Sequence, residues 1–126
     1  HLVDEICLDI KVSGGKVVLT MPLNKEEVDK VTSEVRGGCW PLVEGGKASH
    51  IVIARFCSVI SKDLLKFTGG LKHAFRKKFY NKGSNGGFSV VHSSDSELLA
   101  AHHIALIAPD KFKDINILLL KVCNNP

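Results

Sequence analysis

Residues 49–60 read SHIVIARFCSVI, the longest run of apolar and β-branched residues in the chain. A run of this kind has no polar face to give to water, so it is expected to form a strand covered on both sides, at the centre of a sheet. Arg55 is the exception within it. A charged residue there is paired, or at the strand's exposed end, or part of a site, and the paired or terminal reading is preferred.

Residues 3–12 end in an alternation, with Ile6, Leu8, Ile10 and Val12 on one face and Cys7, Asp9 and Lys11 on the other. That is the pattern of a half-buried strand. Ser13-Gly14-Gly15 supplies turn residues, and residues 16–23 resume strand character, so the two segments are expected to form a β-hairpin. Asn24 followed by Glu27 spells a capping box. Val28, Val31 and Val35 then recur at helical spacing, and Gly37-Gly38 closes a helix of about three turns. Trp40, in the loop that follows, is expected to be a packing anchor and is a second-rank contact candidate.

Further along, Ser61 and Asp63 are placed to cap a helical turn reaching Phe67, which Thr68-Gly69-Gly70 is expected to break. Residues 88–92 form a short strand. Ser94 and Glu97 suggest a second capping box, giving a helix from Asp95 to about Ala101. Residues 102–108 serve either a longer helix or a strand ending at Pro109, and helix to about His103 followed by strand is preferred. After a polar turn over 109–114, residues 115–123 read as a continuous apolar strand beside the 49–60 strand. Strands before, between and after helices imply an α+β fold. The expected architecture is a single domain over residues 1–126, a mixed or antiparallel sheet and two to four short helices.

The feature with functional content is residues 66–87, KFTGGLKHAFRKKFYNKGSNGG. Its six cations, Lys66, Lys72, Arg76, Lys77, Lys78 and Lys82, exceed the chain's formal net charge of +4, so the remainder is net acidic. No acidic residue occurs between Asp63 and Asp95. Over residues 71–80 a helix would stack Leu71, Phe75 and Phe79 on one side and turn Lys72, His73, Arg76 and Lys77 to the other. Localised basicity of this sort is the footprint of an anionic partner, although an ordinary solvated helix presents the same face.

Nucleic-acid binding asks for cations against phosphates and aromatics against bases. The candidate contact residues are Lys66, Lys72, His73, Arg76, Lys77, Lys78, Tyr80, Lys82 and Phe88. The leading expectation is a non-catalytic domain that binds RNA or single-stranded nucleic acid by backbone contacts, through the basic helix and the Gly-rich loop over 81–87. The alternative is a self-associating structural module or one bound to an anionic membrane surface, with Leu71, Phe75 and Phe79 inserting. In physical type alone, small basic sheet-containing domains that self-associate and hold nucleic acid or membrane resemble viral matrix, coat and movement proteins, and homo-oligomers are an expectation of this alternative.

Enzymatic chemistry is the third reading. Ser, His and Asp occur in Val91-His92-Ser93-Ser94-Asp95 but match no catalytic signature, so no catalytic residue is assigned. His102 and His103 are adjacent, which separates their side chains on any regular element, and no metal site or cofactor is expected. Thr68-Gly69-Gly70 lacks the Lys-Ser/Thr ending of a phosphate loop; its amides could face a phosphate at a helix start, but punctuation is the preferred role.

Cys7, Cys39, Cys57 and Cys123 are widely spaced with no C-x-x-C pair. Buried free thiols in a reducing intracellular compartment, cytoplasm or nucleus, are expected, without spacing alone excluding a disulfide. No apolar run reaches the length of a membrane span, and the start of the chain has no signal-peptide pattern. The chain starts at His1 rather than Met, as expected of a trimmed chain, a processed one or a tag remnant, and a targeting segment could have been lost with that start.

Overall fold

The computed structural model describes residues 2–31, 49–59, 63–78, 93–94 and 96–123. Among them are five α-helices and a two-stranded antiparallel sheet, an α+β fold. The elements run α1 (Leu2–Val12), β1 (Lys16–Pro22), α2 (Lys25–Lys30), β2 (His50–Arg55), α3 (Leu64–Lys78), α4 (Glu97–Ile107), a 3₁₀ turn (Pro109–Lys111) and α5 (Phe112–Val122). The expected strand over 88–92, Trp40, Val35 and Gly37-Gly38 lie outside the described residues.

The first segment is a helix, not the first strand of a hairpin. Leu2, Ile6 and Ile10 recur every four residues and pack together, while Leu8 and Val12, which an alternating strand would have buried with them, are exposed. Asp4 and Glu5 in the first turn and Lys11 in the last complement the helix dipole. Ser13-Gly14-Gly15 accordingly ends a helix. Gly14 has φ of 93° and its N–H donates to Lys11 O at 3.1 Å, while the Gly15 N–H donates to Ile10 O at 2.9 Å. That pair of bonds is a Schellman motif, which satisfies the last carbonyls of α1. Gly15 is required by space as well, because a Cβ there would lie 2.6 Å from both Ile10 Cγ2 and Phe56 Cε1.

β1 pairs instead with β2, from Lys16 opposite Arg55 to Pro22 opposite His50. The register is interrupted between Val17, opposite Ala54, and Leu19, opposite Ile53, with Val18 as the additional residue of a bulge. The consequence is a change of face. Val17, Val52 and Ala54 pack around Ile10 and Phe75, contributed by α1 and α3. Leu19, Met21 and Ile51 pack around Val31, Ile107 and Ala108 at the ends of α2 and α4. Without the bulge, Val17 would point with Leu19 and Met21 to a single cluster. The β-branched run is thus apolar on both faces, as its composition requires, but within the described residues it has one neighbour and is not a central strand.

The capping box of α2 is present in both directions: Glu27 N donates to Asn24 Oδ1 and Asn24 N to Glu27 Oε1, each at 2.9 Å. The cap of α4 is Ser96, which accepts from Leu99 N at 3.0 Å, and not Ser94. Ser94 is instead within 2.7 Å of His103 Nδ1. α4 continues as a helix through Ile107, beyond the expected change to strand at His103, and stops where Pro109 excludes helical backbone from Ala108.

The C-terminal apolar segment is also a helix and not a strand beside β2. Phe112, Ile115, Leu119 and Val122 form its inward stripe, with Ile115 only 2% exposed. The run over 117–120 reads as a continuous apolar strand, but the i, i+3, i+7, i+10 spacing of Phe112, Ile115, Leu119 and Val122 was the helical signal. Lys16 Nζ donates to Val122 O at 2.9 Å, and Cys57 is joined to Cys123 by a disulfide. The reading of Cys57 and Cys123 as free thiols is therefore corrected; Cys7 is free and half-buried.

Candidate nucleic-acid interface

The basic helix is longer than its sequence suggested. α3 begins at Leu64 and passes through Thr68-Gly69-Gly70 without a break. Thr68 Oγ1 donates to Leu64 O at 2.9 Å, one turn back, so its hydroxyl serves the helix. Two interior glycines cost a helix about 1 kcal/mol each relative to Ala. Burial of Leu71 and Phe75 beyond them offsets that cost; Phe75 is 6% exposed and packs on Ile10. Because the amides of Gly69 and Gly70 lie inside the helix, they are not the open N-terminal amides of an anion site.

Lys66, Gly70, His73 and Lys77 follow one another at i, i+4, i+7 and i+11, and all four are exposed. They make one stripe, about 16 Å long at the helical rise, opposite the Leu71 and Phe75 edge. A Cβ at either Gly69 or Gly70 would touch nothing within 4 Å, so bare backbone lies between Lys66 and His73. Alongside, residues Ser13, Asp63, Lys66, Phe67, Gly70 and Leu71 line a shallow groove of about 500 Å³ between the end of α1 and the first half of α3.

The remaining candidates divide. Lys72 is half-buried and off the stripe. Lys78 is exposed but its Nζ lies 2.8 Å from Asp9 Oδ2 on α1. Arg76 is on the backbone of α3, and its side chain lies outside the described part of the structure, as do Tyr80, Lys82, Phe88 and the Gly-rich loop. Asp9 is the neighbour of a candidate residue that sequence reasoning missed. It is 69 residues from Lys78, and no local pattern links the two.

Arg55 is paired, with Nη2 3.5 Å from Glu97 Oε1, and it is also the last residue of β2. Ser94 and His103 bring a hydroxyl and an imidazole together, but His103 is 7% exposed and the bond fastens the segment before α4 to that helix. Among the described residues no three His, Cys, Asp or Glu side chains gather as a metal site, and no helix is long and apolar enough to cross a membrane.

Compared with protein families, with curated proteins and with solved structures, the chain has no match.

Proposed function

We propose that the protein binds the phosphate backbone of RNA or single-stranded nucleic acid, without catalysis, through the exposed face of α3. The observation that carries this reading is the Lys66, His73 and Lys77 stripe, held on a helix whose opposite edge is buried. Lys66 and Lys77, fixed along a straight element, supply sequence-independent attraction for phosphates, with His73 as a hydrogen-bonding group between them. Lys72, Arg76 and Lys82 are further candidates for phosphate, Lys78 joins them only where a phosphate displaces Asp9, and Tyr80 and Phe88 are the stacking candidates. The open backbone at Gly69-Gly70 lets a sugar-phosphate chain approach closely between Lys66 and His73.

The membrane-surface alternative is disfavoured by Phe75, whose burial against Ile10 removes it from any inserting face. Placement in the cytoplasm or nucleus would require Cys57 and Cys123 to be reduced there, and their disulfide weighs mildly against it.

The test is fluorescence anisotropy with a labelled single-stranded RNA at low and moderate salt. The expected result is binding that weakens steeply with salt, depends little on sequence, and is lost in a Lys66→Ala, Lys77→Ala double variant that melts like the parent. Binding by that variant at parental strength removes the assignment, as does no binding by the parent at low salt.

A further inference from the structure

We infer that the outer face of α5 is a self-association surface, and that its occupant is an antiparallel second copy of the same helix. The inward stripe of α5 is Phe112, Ile115, Leu119 and Val122; opposite it, Asp114, Ile117, Leu118 and Lys121 recur at i, i+3, i+4 and i+7. All four are exposed, including the two large apolar side chains, Ile117 at 41% and Leu118 at 49%. Neither Asp114 nor Lys121 has an ion-pair partner among the described residues.

The order of these four residues selects the partner. The midpoint of the stripe falls between Ile117 and Leu118, so a two-fold axis there exchanges Ile117 with Leu118 and Asp114 with Lys121. Each carboxylate then meets an ammonium of the other copy at both ends, with the apolar pair between them. A parallel copy in register sets Asp114 on Asp114 and Lys121 on Lys121, which is repulsive. A surface that complements itself only when reversed is the requirement for an isologous dimer. α5 is also held firmly enough to present this face, by burial of Ile115, by the Lys16 bond to Val122 O and by the disulfide at Cys123.

One eleven-residue helix per copy is a small contact, so the dimer is weak and concentration-dependent. Its existence does not rest on the nucleic-acid reading. Where both hold, the dimer carries two copies of the α3 stripe, and a single strand that reaches both is bound with added avidity.

The experiment is sedimentation velocity on the chain with Cys7→Ser, which removes cross-linking through that free thiol. The concentration runs from about 10 µM to about 1 mM, the range in which a contact of this size dissociates. The expected result is a dimer fraction that rises with concentration. Association should weaken at least about tenfold in Ile117→Glu, Leu118→Glu, and also in Asp114→Lys or Lys121→Asp alone. The double exchange Asp114→Lys, Lys121→Asp should return it to the parental strength. Thermal melts check that the variants fold, as their exposed positions allow. A monomer at every concentration overturns the inference, and so does a dimer indifferent to the Ile117 and Leu118 substitutions. A double exchange no better than the single reversals overturns the antiparallel arrangement.

Discussion

Lys78 Nζ and Asp9 Oδ2 lie 2.8 Å apart, so the end of the basic helix α3 is fastened to α1 by an ion pair across 69 residues of sequence. The pair sits directly beside the Ile10 and Phe75 packing that joins the same two helices. Lys78 therefore has a structural counter-charge, with which a phosphate of the proposed nucleic-acid partner would compete.

Asp9→Asn should release that lysine. Both partners are partly exposed, so the loss in stability is below about 1 kcal/mol. Affinity for single-stranded RNA should rise about two- to fivefold at low salt, with the salt slope steeper by about 0.7 for one added phosphate contact. Unchanged affinity and slope in the anisotropy titration would show that Lys78 is not a contact residue.

The two kinds of glycine should respond in opposite directions. Gly15→Ala places a methyl 2.6 Å from Ile10 Cγ2 and Phe56 Cε1 and should destabilise by about 1–3 kcal/mol through overpacking. Gly70→Ala meets open space inside a helix and should stabilise by about 0.5–1 kcal/mol. Urea denaturation midpoints measure both, and a destabilised Gly70→Ala chain contradicts a continuous α3.

The Cys57–Cys123 disulfide closes a separation of 66 residues. Replacing both by Ser should lower stability by about 2–4 kcal/mol. Dithiothreitol should lower the Tm of the parent by a matching amount and leave the double variant unaffected. A parent indifferent to the reductant would show that the bond contributes nothing to the folded state.

Ser94 and Ser96 should tolerate different replacements. Ser96→Ala removes the cap of α4 and should cost about 1 kcal/mol, which Ser96→Asp should restore. Ser94→Ala leaves the buried His103 Nδ1 without its hydroxyl partner, costing about 1–3 kcal/mol. A Ser94→Ala chain that melts with the parent, or a Ser96→Asp chain no better than Ser96→Ala, would contradict these two roles.

Where the determinant was local, it could be read from the chain. The Asn24 and Glu27 box needs only three residues of spacing, and both its bonds form. Leu71 and Phe75 announced the inner edge of α3 by their four-residue interval, and Phe75 is buried as that interval implies. The misreadings came from patterns with two solutions. Ile6, Leu8, Ile10 and Val12 satisfy a strand, but Leu2, Ile6 and Ile10 satisfy a helix equally, and the charges at Asp4, Glu5 and Lys11 were the signal in favour of the latter. Ser13-Gly14-Gly15 suits a hairpin or a Schellman cap, since both need a residue that accepts positive φ.

The sequence by itself determined the apolar strand β2, the cap of α2, and the separation of cations from apolar residues on α3, because each depends on side-chain spacing within one element. Only the tertiary structure decided that β1 pairs with β2, that the bulge at Val18 divides the sheet between two core clusters, and that Asp9 reaches Lys78 and Cys57 reaches Cys123. The physical reason is distance along the chain. Packing and pairing between residues tens of positions apart follow from how whole faces are buried together, and no local period encodes which faces meet.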